Sequence, residues 1–129
     1  MNCSLCLAFI RDKNQCPGCN GTDTDKRKSC LSCIVKLCEG LRGTESGFCY
    51  SCESFPCKRL KQLDLRYRTK YGMSMIGNLR TIETVGVDKF VEMERLRWAC
   101  KKCGTLLCVH RETCPNCGDK WNSGGTIRN

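Results

Sequence analysis

Fifteen of the 129 residues are cysteine, and their spacing constrains this chain more than any other feature. Six C-x-x-C pairs hold twelve of them: Cys3/Cys6, Cys16/Cys19, Cys30/Cys33, Cys49/Cys52, Cys100/Cys103 and Cys114/Cys117. The other three, Cys38, Cys57 and Cys108, each follow the second cysteine of a pair by five residues. C-x-x-C is the spacing that lets two thiolates grip one metal ion.

Disulfides are the competing use of so many cysteines, and they fit less well. A C-x-x-C disulfide closes only a tiny loop and gains little from it. An odd count cannot pair fully within one chain. The start, MNCSLCLAFIRDKNQ, has no basic segment before its short apolar run Leu5 to Ile10, so no secretion signal or membrane span is expected. Metal thiolates in a reducing cytoplasm are the expectation. Aromatic residues make up only 7% of the chain, so its core needs help from cross-links.

The formal charge of +9 suggests nucleic acid, but it counts cysteine as neutral. Each tetrathiolate zinc site carries a net charge of about −2, so three of them would lower the total to about +3. The basic excess is therefore weak grounds for a nucleic-acid partner.

Three segments follow from the cysteine distribution. Residues 1–57 carry ten cysteines and the Cys16-Pro-Gly-Cys19 turn. Residues 58–99 carry none. Residues 100–121 carry the last five cysteines and the only histidine, His110. Residues 122–129 read as a flexible tail.

The cysteine-free middle reads as helical. Leu60, Leu63, Tyr67 and Tyr71 form one apolar stripe, with Lys58, Arg59, Lys61, Arg66, Arg68 and Lys70 around it. Gly72 is the expected stop. A second helix is expected from Ser74 as N-cap to Gly86, and a third from Asp88 as N-cap through Phe90, Val91, Met93 and Leu96 toward Trp98. Tyr67 and Tyr71 lie on the leucine stripe and are expected to face the core rather than to stack on bases.

The most specific motif is Cys100-Lys-Lys-Cys103-Gly104 with Cys114-Pro-Asn-Cys117-Gly118. Two facing C-x-x-C-G knuckles make a zinc ribbon, and each glycine is expected to leave its knuckle at positive φ. Thr105, Leu106, Leu107 and Val109 suit a short strand between them. Cys108 reads as a small buried apolar residue and His110 as a group at the surface or behind the ligands, the sharper alternative being a ligand role for one of them. Trp98 and Trp121 bracket the ribbon and would shield it. The ten N-terminal cysteines can be wired sequentially or as a cross-brace, and spacing leaves both open. The same ligands also hold iron.

The order Cys3-x-x-Cys6, Cys16-Pro-Gly-Cys19, Cys33-Ile-Val-Lys-Leu-Cys38 and Phe48-Cys49-Tyr-Ser-Cys52-Glu-Ser-Phe55-Pro56-Cys57-Lys-Arg-Leu60 resembles a family of small cysteine-rich bacterial and archaeal proteins. That family is known only as domain of unknown function number 3795. The Tyr71-Gly-Met-Ser-Met-Ile-Gly-Asn-Leu79 run, the Val85-Gly-Val-Asp-Lys-Phe90 turn and Trp98-x-Cys-x-x-Cys-Gly are similar to it as well. The resemblance implies metal binding, with zinc the expected ion, and places Cys38 and Cys57 in the N-terminal cluster. It brings no activity with it.

The chain is therefore expected to be a small metal-stapled α+β protein. It would have an N-terminal Cys-knuckle module (1–57), a helical segment packing on it (58–99) and a C-terminal zinc ribbon (100–121). The expected ligands are Cys3, Cys6, Cys16, Cys19, Cys30, Cys33, Cys38, Cys49, Cys52, Cys57, Cys100, Cys103, Cys114 and Cys117, holding about two to four zinc ions. The expected role is non-catalytic, since no nucleophile–base pair is legible and a catalytic zinc keeps an open position among other ligand types. A protein-interaction adaptor is the first reading. An iron-containing electron-transfer protein, or an RNA- or DNA-binding protein using the basic 58–70 helix, is the alternative.

Overall fold

Where the cysteines stop, the chain folds as three consecutive helices. The computed structural model describes residues 2–121, and the expected flexible tail lies outside the described residues. Helix α4 spans Lys58–Tyr71, α5 Met75–Val85 and α6 Val87–Arg97. Three single-turn helices precede them: α1 (Leu7–Ile10), α2 (Lys28–Leu31) and α3 (Glu39–Arg42). Two 3-10 turns, Cys3–Leu5 and Cys49–Ser51, complete the helical structure of the described residues.

The local chemistry of the long helices follows the sequence closely. Gly72 ends α4 in the left-handed region at φ 62°, and its N–H reaches the Tyr67 carbonyl. The Met73 N–H reaches the same oxygen at 3.3 Å. Ser74 caps α5, its hydroxyl accepting from the Gly77 N–H at 2.9 Å. Gly86 ends α5 at φ 84°, a conformation open to glycine and strained for other residues.

The start of α6 corrects one expectation. Gly86, not Asp88, is the residue before the helix, and Asp88 sits in the first turn. The sharp turn at Gly86 lets the helix restart at once, and the Phe90 N–H bonds back to the Gly86 carbonyl. The carboxylate of Asp88 still favours the positive end of the helix dipole. Of the apolar residues on α6, Phe90 is buried, whereas Val91, Met93 and Leu96 are exposed. The inward stripe is Phe90 and Glu94, one helical turn apart.

The core joins the two ends of the chain. Leu5, Leu60, Met73, Met75, Trp98, Cys100, Leu107, Val109 and Cys114 form one buried cluster. Phe55, Leu63, Tyr67, Tyr71 and Trp121 pack against it. Helix α5 lies between α4 and α6 and touches both. An apolar cavity of about 270 Å3 lies beneath these helices, lined by residues that include Leu60, Leu63, Met75, Leu79, Ile82 and Phe90.

The α+β expectation is corrected to a mostly helical fold. Among the described residues, β structure is limited to two isolated antiparallel bridges, Ala99 with Leu106 and Thr113 with Lys120. No strand forms over Thr105–Val109. Leu107, Cys108 and Val109 are all fully buried, so this stretch is enclosed from every side rather than alternating between two faces.

Candidate metal centre

Two C-terminal turns of the same construction bring four thiols together. In the first, the Cys100 N–H donates to the Thr105 carbonyl at 2.8 Å and the Gly104 N–H to the Cys100 carbonyl at 2.9 Å. In the second, Cys114 N–H donates to the Asp119 carbonyl at 2.8 Å and Gly118 N–H to the Cys114 carbonyl at 3.1 Å. Gly104 and Gly118 have φ of 75° and 70°, as the C-x-x-C-G pattern requires. Each bridge noted above sits at the open end of one turn.

The sulfurs of Cys100, Cys103, Cys114 and Cys117 all lie within 4.8 Å of one another, close enough to hold a metal ion. Cys100 faces Cys117 at 3.7 Å, and Cys103 faces Cys114 at 3.6 Å. Cys100 and Cys114 are buried while Cys103 is exposed, so the group has one edge toward solvent.

The electrostatics of the four differ. Hydrogen bonds from the Thr105 side chain and amide, then Asn116, hold the Cys103 thiol down at about 5. Amides of Cys103 and Lys102 favour the Cys100 thiolate and outweigh its burial. At Cys117 the Asp119 amide favours the thiolate, but burial and the three neighbouring thiols push the group up to about 12. Without a cation, the cluster cannot hold four adjacent negative charges. A divalent ion held by these four thiols would displace their protons, so its binding would be coupled to proton release.

The surroundings are packed rather than open. Trp98 is fully buried, donates from Nε1 to the Glu94 carboxylate at 2.9 Å and meets Trp121 edge-on at 5.4 Å. Cys108 is fully buried and does not belong to the four; burial pushes its thiol up, against the His110 amide. His110 is half-buried. Its Nδ1 accepts from the Leu7 N–H at 3.3 Å and its ring lies edge-on to Tyr71 at 4.8 Å. That bond occupies one ring nitrogen and ties the C-terminal segment to α1. Tyr67 and Tyr71 face inward, and burial, with Cys6 and Tyr71 nearby, pushes the Tyr67 hydroxyl up to about 12.

The ten N-terminal cysteines are arranged differently. All fifteen cysteines of the chain are free thiols. In three pairs the second N–H closes a turn onto the first carbonyl: Cys6 to Cys3, Cys33 to Cys30 and Cys52 to Cys49. Among the described residues, no N-terminal trio gathers its sulfurs as tightly as the C-terminal four. Neighbours can still be named. Burial and then the proximity of Cys3, with Cys16 and Cys30, push the Cys19 thiol up. The Cys19 carbonyl takes Lys26 Nζ at 3.1 Å and is also reached by Lys36 Nζ. Lys26 is buried and pairs with Asp23 at 3.0 Å. Nothing in the spacing of charged residues pointed to Lys26 as an internal post for the Cys16–Cys19 loop.

The chain matches no family model, no curated protein and no solved structure. No helix among the described residues is long and apolar enough to cross a membrane.

Proposed function

We propose that the chain is a non-catalytic zinc-binding protein whose metal sites are structural, and that it serves as a protein-interaction adaptor. The observation that carries this reading is the sulfur geometry at Cys100, Cys103, Cys114 and Cys117. Zinc–thiolate bonds of about 2.3 Å in a regular tetrahedron place the sulfurs about 3.8 Å apart. The opposed contacts of 3.7 and 3.6 Å come within a few tenths of an ångström of that edge. Four thiolates leave no open position for substrate, which favours a structural role over a catalytic one. On this reading the two knuckles constitute a zinc ribbon, and the chain's resemblance to domain of unknown function number 3795 is membership. A reducing cytoplasm suits fifteen free thiols.

Support for a protein partner comes from apolar side chains left outside the core. Leu96 is 72% exposed and Ile34 61%, with Val91 and Met93 also at the surface.

Metal analysis with an absorbance spectrum tests the central claim. Protein purified without oxygen should be colourless and carry zinc at one equivalent or more. Chelation should then abolish the helical circular dichroism, because structural zinc contributes about 10–16 kcal/mol in small domains, more than a chain of this size holds in reserve. A brown preparation with iron in the sites, or a dichroism spectrum unmoved by full metal removal, would overturn the reading.

A further inference from the structure

We propose that Cys38, Cys49, Cys52 and Cys57 form a second tetrathiolate site for a divalent metal of the zinc class, so that Cys38 shares its ion with the downstream trio rather than with Cys30 and Cys33. The proposal shares with the preceding section only the premise that the chain binds a thiolate-seeking cation. It settles a wiring that sequence spacing leaves open.

The first observation is steric. Gly40 packs against two of these sulfurs at once: a Cβ at that position would lie 3.2 Å from Cys52 Sγ and 3.7 Å from Cys38 Sγ. The two thiols therefore flank a single point of backbone, and α3, which contains Gly40, packs on the turn Cys49–Ser51.

The second observation is a repeated local geometry. At Cys100 and Cys114 the N–H four residues along donates back to the cysteine carbonyl, from Gly104 at 2.9 Å and Gly118 at 3.1 Å. At Cys38 the Arg42 N–H makes the same bond at the same offset, at 3.1 Å. Cys38-Glu-Gly-Leu41 thus turns as half of a metal knuckle does. Its fourth position is Leu41, so the remaining ligands must come from another segment.

The third observation is which segment that is. Cys49 and Cys57 both pack against the core cluster, and Cys49 and Cys52 are held in one turn by the Cys52 N–H to Cys49 carbonyl bond at 3.0 Å. Cys57 immediately precedes α4 and its carbonyl takes the Lys61 N–H. Cys57, Cys38 and Cys52 are thiol neighbours of Cys49. Arg59 lies beside them, donating to the Ile34 carbonyl at 2.9 Å. A tetrathiolate–zinc unit of charge about −2 is stabilised by such a cation. The sulfurs stand wider apart than in the C-terminal four. Binding an ion would draw them together by side-chain rotation.

The test is cadmium-113 to proton correlation spectroscopy on the full chain loaded with cadmium, which reports directly which cysteine β-protons share an ion. The expected spectrum contains one cadmium resonance coupled to Cys38, Cys49, Cys52 and Cys57. A separate resonance coupled to Cys100, Cys103, Cys114 and Cys117 belongs to the C-terminal site and is scored independently. Coupling of Cys38 to an ion shared with Cys30 or Cys33, or to none, overturns the proposal whatever the C-terminal resonance shows. Cobalt titration of two variants gives a second reading. Cys38→Ser should lose one equivalent of tetrathiolate absorbance, and Cys33→Ser should lose none of the absorbance assigned to this site. The reverse pattern would sink the assignment.

Discussion

Asp64 offers the sharpest quantitative expectation. It lies in a strongly basic helix, yet it is only 4% exposed. One oxygen accepts from the Ser74 hydroxyl at 2.7 Å and the Ile76 N–H at 3.0 Å; the other takes Arg68 Nε at 2.7 Å. The carboxylate thus pins the first turn of α5 to the middle of α4. Each buried bond to a charged acceptor is worth about 1.5–3 kcal/mol, and the Arg68 pair, with a half-exposed guanidinium, adds at most about 1 kcal/mol. Asp64→Ala strands the Ile76 amide and Ser74 hydroxyl and should cost about 3–5 kcal/mol, a large share of the stability of so small a protein. Asp64→Asn keeps an acceptor for Ser74 and Ile76 but turns an amide toward Arg68, and should cost about 1–2 kcal/mol. The pH dependence has a definite sign. Burial pushes the Asp64 carboxyl up, but the Ile76 amide, Ser74 and Arg68 outweigh it and hold the group below its ordinary range. The folded state therefore binds the proton less tightly than the unfolded chain. The stabilisation is complete above the unfolded value of about 3.9 and is lost as pH falls through the lower folded value. Urea titrations of wild type and both variants at saturating zinc provide the measurement. The gap between wild type and Asp64→Asn should stay constant from pH 7 to about 5 and close only in stronger acid. An Asp64→Ala cost below about 1 kcal/mol, or a gap that widens on acidification, would refute the argument.

Three further experiments probe the C-terminal four-thiol group. Cys103→Ser should remove one equivalent of bound metal, whereas Cys108→Ala should leave metal content unchanged because that buried thiol lies outside the four; elemental analysis of the two proteins side by side decides it. Gly104→Ala meets no atom within 4 Å, so its whole cost is the φ of 75°, about 1–2 kcal/mol by thermal melting; a neutral result would mean the turn is not held in that conformation. Trp98 is fully buried against Trp121, so chelation should shift tryptophan emission to the red, and an unchanged emission maximum would show that the core persists without metal.

Much of the fold was legible because local chemistry and tertiary packing agreed. The stripe Leu60, Leu63, Tyr67 and Tyr71 is the face of α4 that turns to the core, and Gly72, Ser74 and Gly86 punctuate the helices where their backbone chemistry requires. The gathering of the four C-terminal thiols was legible for the same reason, since C-x-x-C-G fixes both the sulfur spacing and the exit conformation. The expected strand failed because a run as apolar as Leu107-Cys108-Val109 carries no period to distinguish enclosure from a sheet. Asp64 and Lys26 were invisible because a charged residue among charged residues looks solvated until its partners are known. The N-terminal wiring was illegible for a more basic reason. Every pair has the same spacing, so partner choice depends on contacts such as Gly40 between Cys38 and Cys52, which are distant in sequence from the pattern itself.

The four-thiol group and the hydrophobic core share residues. Cys100 and Cys114 belong both to the four-thiol group and to the buried cluster with Leu5, Trp98 and Val109. Removing a bound ion would leave buried thiolates without a counter-charge, and they must then protonate or drag the cluster apart. The disturbance would not stay at the C-terminal end. The Val109 N–H donates to the Leu5 carbonyl at 3.0 Å, and His110 accepts from Leu7. Leu5 sits between Cys3 and Cys6, so the backbone that presents the first cysteine pair is hydrogen-bonded to the segment that joins the two C-terminal turns. Loss of one ion should therefore speed amide exchange at Val109 and Leu7 together. Exchange that changed at one and not the other would place the two ends in separate cooperative units. A chain with so few large apolar residues would gain from this arrangement, because each turn, once held by a metal, would also complete a wall of the core.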